Sequence, residues 1–231
     1  MVLYRIETHE EGIFLERPNR FIARVKLENE EVIAHVHDSG RLPELLYEGN
    51  KVKLRKANNP HRKTAWDVIS ARAGEEDVLI NSAFHRYISE NLLKDEQLSP
   101  FGKIDTLKAE VKYGKSRIDY LLEKDNKKIW VEVKGVSLCE NNIAMFPDAP
   151  SIRAQKHLTE LMELKEKGDR TAVLLLILRN SKEFRPRWET DSKFSDLFYK
   201  AMQLGVEVYP VLLAFENNEI VYKGLINIIK K

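Results

Sequence analysis

The chain has 231 residues, 43% of them hydrophobic and 32% charged, with a formal net charge of +2 and one cysteine. That length allows one large domain or two small ones, and no apolar run reaches the roughly 18 residues that a membrane span needs. The first ten residues lack the apolar core of a signal peptide, and the lone Cys139 permits no intramolecular disulfide, so a cytoplasmic protein off the membrane is expected.

Residues 12–16, 21–27, 32–36, 51–54 and 66–71 are apolar or β-branched runs, broken by turn-like segments at 17–20 and 28–30. Five strands in the first 80 or so residues suit a small barrel, and strand count alone does not separate an OB-fold from an SH3-like one. The loop at 35–41 supports three readings. His35 and His37 could begin a zinc site, although no Cys cluster supplies further ligands. Asp38 and Ser39 could cap a turn with Gly40 at positive φ. Arg41 and the Ser39 and Gly40 amides could meet a phosphate.

Residues 51–63 hold six Lys or Arg and no acid. Lys51, Lys53 and Arg55 alternate with Val52 and Leu54, which makes one strand face basic and the other core. Asn58, Asn59 and Pro60 turn the chain, and Arg62 and Lys63 return on the next strand. The run is either a solvated face or a phosphate-binding surface. Trp66 after it reads as core, with a stacking platform as the alternative.

A helical pattern begins at Asn81, with Asn81 or Ser82 as cap and apolar residues at 84, 87, 88 and 92. A domain boundary is expected near residue 80. Glu90 on this helix is either a surface acid or a metal ligand. Residues 107–113 predict a strand carrying Glu110, a candidate third carboxylate or a partner for Lys112 or Arg117. Residues 118–122 and 129–133 predict a hairpin around a polar turn at 124–128. Side chains alternate along a strand, so Glu132 and Lys134 share a face and the hairpin can bring Asp119 beside them. Two carboxylates on rigid strands suit Mg²⁺ or Mn²⁺.

Farther on, a proline-rigid loop at 146–151 leads into a helix that Asp148 or Ser151 can cap. Ala154, Leu158, Leu161 and Met162 form the helix's buried stripe, Gln155 lies at the stripe's edge, and Gly168 ends it. Asp148 could instead line the cleft. Residues 171–178 are a continuous apolar run, expected in a sheet covered on both sides. A second basic cluster, Arg179, Lys182, Arg185 and Arg187, follows it. A helix at 192–204 ends at Gly205, residues 206–213 form a further strand, and the tail stays unassigned between strand and helix.

Asp119, a gap and Glu132-Val133-Lys134 resemble the signature of the PD-(D/E)XK nuclease superfamily. The segments E-V-K-Y-G at 110–114, S-R-I-D-Y at 116–120, G-V-S-L-C-E at 135–140 and A-M-F-P-D-A-P-S-I-R-A-Q-K-H-L-T-E-L at 144–161 resemble the sugar fermentation stimulation protein A family. The resemblance implies an α/β (α+β overall) chain, with an OB-fold-like barrel at 1–80 and a restriction-endonuclease-like mixed-sheet domain at 81–231. It implies a nuclease acting on DNA and/or RNA, or a DNA-binding regulator without catalysis. The expected catalytic residues are Asp119, Glu132, Lys134 and Gln155, and the expected metal ligands are Asp119, Glu132 and Glu110. Nucleic acid would meet Arg41, Lys51, Lys53, Arg55, Arg62 and Lys63. The sequence leaves strand preference and oligomeric state open, a homodimer included.

Overall fold

Alternating apolar residues close the first part of the chain into a barrel. The computed structural model describes residues 1–38, 40–59 and 61–230. Strands β1 (Val2–Arg5), β2 (Glu10–Asn19), β3 (Ile22–Lys26), β4 (Glu31–His35), β5 (Lys51–Lys56), β6 (Trp66–Ala73) and β7 (Glu76–Leu79) come first. β2 pairs with β3 and β5, β3 with β4, and β5 with β6, all antiparallel. The parallel contact of β4 with β6, at Ala34↔Trp66 and His35↔Asp67, closes the ring. This five-stranded closure is the OB-fold arrangement rather than the SH3-like alternative.

A 3-10 turn (Ser82–Phe84) leads into α1 (His85–Lys94), with the Asn81 side chain accepting the Ala83 N–H. The helix is followed by β8 (Thr106–Tyr113), β9 (Ser116–Lys124), β10 (Lys127–Val136), β11 (Leu138–Glu140) and β12 (Ile143–Phe146). Next come α2 (Ile152–Glu166), β13 (Arg170–Ile177), β14 (Glu183–Pro186), α3 (Ser192–Gln203), β15 (Glu207–Glu216), β16 (Glu219–Leu225) and β17 (Asn227–Ile228). β8, β9 and β10 are antiparallel, whereas β10, β13 and β15 run parallel, joined by crossovers through α2 and α3. β13 explains its own apolar run. Ala172, Leu174 and Leu176 pack with the barrel and α1, while Val173, Leu175 and Ile177 pack with α2 and α3.

β1 pairs with β16, more than 200 residues on, and β7 pairs with β15, so one sheet runs from the barrel into the second half. Several expectations about single elements need correction. β2 passes through Arg17 and Pro18 with irregular register instead of turning there. The 124–128 turn tightens to Asp125 and Asn126, both left-handed at φ 52° and 59°, as a two-residue hairpin turn requires. Arg62 and Lys63 lie in the loop before β6, not on a strand. Tyr87, expected on the apolar face of α1, is 52% exposed. The tail is strand, and β17 joins a small second sheet, β11-β12-β14-β17.

Candidate active site

The hairpin of β9 and β10 builds the site. Its last ladder pair is Tyr120↔Val131, and the next residues along are Asp119 and Glu132. The Glu132 side chain turns to the α2 side of the sheet, the side on which Trp130 packs, and Asp119 lines the same cleft. The Asp119 Oδ2 accepts the backbone N–H of Val133 at 2.7 Å. Glu132 is 1% exposed. Its Oε1 takes both the Lys134 Nζ and the His157 Nδ1, and its Oε2 is buried without a hydrogen-bond partner.

Burial, followed by the charge of Glu132, pushes the Asp119 carboxyl up to about 6 against the pull of Lys134. Burial also opposes ionisation of Glu132, but His157 and Lys134 together hold that carboxyl below its ordinary value. The two acids are thereby driven apart, with Glu132 the one that stays ionised.

A cleft of about 590 Å³ opens over this pair. Asp38 and Gly40 of the barrel line one wall, His85 and Ser89 of α1 a second, and Asp148 of the 146–151 loop a third. Arg17 fixes the barrel wall by donating to the carbonyls of Asp38, Gly40 and Arg41 at 2.6 to 2.8 Å. Gly40 lies close against the cleft's far wall, since a Cβ there would stand 2.6 Å from the Asp148 Oδ2. Ser39 and Pro60 lie outside the described residues. On α1, burial pushes His85 down to about 4, and its ring occupies the space left by the missing side chain of Gly135, directly after Lys134.

Glu110 lines the same cleft. It takes φ 57° within β8, uncommon for a residue other than glycine, and its carboxylate meets Arg117 at 3.2 Å. Glu90 instead pairs with Arg86 and Lys94 along α1. Gln155 is placed elsewhere than expected: its amide donates to the Asp191 carboxylate at 2.9 and 3.1 Å. The α2 residue that touches Glu132 is His157, which no motif in the sequence singles out. His157 stands three residues after Ala154 and four before Leu161, so helical spacing puts it on the buried stripe of α2, but nothing in the 24 residues between it and Glu132 says that the two meet. Ser151, not Asp148, caps α2.

The orphaned Glu132 Oε2 and the neighbouring Asp119 fit a hard divalent cation. No set of three or more His, Cys, Asp or Glu converges as a complete cage among the described residues. Two carboxylates therefore suit an ion that completes its shell from water and phosphate. The zinc reading fails: His37 meets Asp67 at 2.9 Å and His35 packs edge-on against His37.

The basic run at 51–63 is acid-free in sequence but not in space. Lys51 meets Glu11 at 3.3 Å, Lys53 meets Asp77 at 2.7 Å, and Arg55 and Arg62 meet the buried Asp67 at 3.5 and 2.6 Å. Only Arg41 and Lys63 of the expected phosphate contacts are both exposed and outside these pairs. In the second cluster Arg179, Arg185 and Arg187 meet Glu76, Glu189 and Glu140. Trp66 is buried, as core.

The fold and site define an OB barrel continuous with a mixed sheet that presents a buried glutamate, a half-buried aspartate and a lysine. Two family models match such a chain: "SfsA N-terminal OB domain" over residues 15–81 and "Sugar fermentation stimulation protein RE domain" over residues 81–219. A sugar fermentation stimulation protein homolog of Thermosipho melanesiensis is 46% identical over 99% of this chain and 98% of its own. One of Methanococcoides burtonii is 41% identical over 94% and 90%. A solved structure of Pyrococcus furiosus SfsA, described as a complex with Ca²⁺, superposes with a TM-score of 0.91 at 29% identity over 100% of both chains. The chain belongs to the sugar fermentation stimulation protein family.

Proposed function

We propose that this protein is a metal-dependent nuclease that binds DNA and/or RNA and hydrolyses phosphodiester bonds. The observation that carries the reading is the buried, unpartnered Oε2 of Glu132 beside Asp119, with Lys134 on the same strand face. Asp119 and Glu132 would hold Mg²⁺ or Mn²⁺, and the Ca²⁺ of the Pyrococcus furiosus relative supports a hard, oxygen-preferring ion. Such an ion polarises a phosphate and acidifies a water. Lys134 supplies a compact positive charge that can leave Glu132 to orient the attacking water or meet the charge growing on phosphorus. Glu110 would join as a third carboxylate by leaving Arg117. Arg41 and Lys63 offer exposed positive charge to the incoming strand.

The test is incubation with labelled single- and double-stranded DNA and RNA in Mg²⁺, Mn²⁺ or EDTA. Cutting that EDTA abolishes is the expected result. Binding without cutting in either metal would overturn the nuclease and leave the DNA-binding regulator.

A further inference from the structure

We infer that His157 is a positioning residue that clamps Glu132 so that one carboxylate oxygen stays presented to metal while Lys134 is free to act. This inference rests on the nuclease reading above. Glu132 and His157 are 1% and 4% exposed, so water does not compete for their contact. A carboxylate oxygen only accepts, which requires the proton on His157 Nδ1 to point at Oε1. Lys134 shares that oxygen.

The consequence lies in what each group can then do. If Lys134 alone held Oε1, any movement of its ammonium toward water or phosphate would release the carboxylate to rotate about its last torsion. With the imidazole in place, Oε1 keeps a donor when Lys134 leaves, and Oε2 keeps its direction. The helix that carries His157 is itself held in rotation. Asp191 accepts the Gln155 amide and the Ser151 N–H from α2, and the Phe194 N–H of α3, all at 2.9 to 3.1 Å. Gln155 thus faces α3 while His157, two residues on, faces β10. Partners behind a metal ligand commonly contribute about 10- to 100-fold in metal affinity.

The experiment is calorimetric titration of Mn²⁺ into the parent and into His157→Leu, His157→Asn and His157→Gln, with circular dichroism to establish folding. His157→Leu should bind Mn²⁺ about 10- to 100-fold more weakly. His157→Asn, whose amide nitrogen can stand where Nδ1 stands, should recover most of the affinity, and His157→Gln should not. If His157→Leu is folded and binds Mn²⁺ as the parent does, the clamp is refuted. If His157→Leu does not fold, the Asn and Gln variants decide, and equal affinities for these two refute it. A parent that binds no Mn²⁺ refutes the metal reading beneath it.

Discussion

Asp119 accepts the backbone N–H of Val133 at 2.7 Å, which ties the first acid to the residue between Glu132 and Lys134. The contact holds the two strands together where their ladder ends, at the cost of partly burying a second carboxylate near the first. In the metal-free protein the folded Asp119 titrates near 6, above its ordinary 3.8. The folded chain therefore holds an extra proton between about pH 4 and 6, and stability falls as pH rises through that window. Asp119→Asn should stabilise the metal-free protein by about 1–3 kcal/mol at pH 8 and by nothing at pH 3.5. Urea unfolding at the two pH values checks this.

Asp67 should behave with the opposite sign. Burial disfavours its charge, but His37 and Arg62 hold its carboxyl well below the ordinary value. Its contribution is present above about pH 4 and is lost as pH falls further. Asp67→Asn should destabilise by about 1–3 kcal/mol at pH 7, because it leaves the half-buried His37, Arg55 and Arg62 short of an acceptor charge. The deficit should shrink at pH 3 in the same denaturant titration.

Gly135 and His85 form a steric pair, since a Cβ on Gly135 would meet the imidazole Cε1 at 2.2 Å. Gly135→Ala should cost about 1–3 kcal/mol by overpacking. Adding His85→Ala should return part of that loss, and a double-mutant cycle of thermal melts measures the coupling.

The basic face should divide into two kinds of residue. Lys53 is committed to Asp77 at 2.7 Å, so Lys53→Glu should lower stability by about 1–2 kcal/mol. Arg41 and Lys63 are exposed. Arg41→Glu and Lys63→Glu should leave stability unchanged and weaken nucleic-acid binding. Each should make the slope of log affinity against log salt shallower by about one. Fluorescence anisotropy over a salt series separates the two groups.

The acid pair and Lys134 were legible in the sequence because they need only strand alternation and one short hairpin, both local. The five barrel strands were legible for the same reason. β1 was not, since its partner in β16 lies at the far end of the chain and its four residues carry no distinctive alternation. β11, β12, β14 and β17 are too short to show a period. His157 was hidden because helical spacing puts it on the buried face of α2 without saying which strand residue it meets there; the helix is also tied through Asp191, 36 residues beyond Gln155. The pairing of Lys53, Arg55 and Arg62 was hidden likewise: a basic run shows its own charges, not the acids that folding brings against them.

The most direct measurement is Mn²⁺-dependent cleavage of one labelled substrate by the parent, Asp119→Asn, Glu132→Gln and Lys134→Ala, with Mn²⁺ affinity taken by calorimetry on the same preparations. No variant should cleave. Metal binding should be lost in Glu132→Gln, weakened in Asp119→Asn and retained in Lys134→Ala, because an ammonium is not a ligand. Cleavage at the parent rate by both Asp119→Asn and Glu132→Gln would contradict the nuclease reading of this site and place the chemistry elsewhere on the molecule.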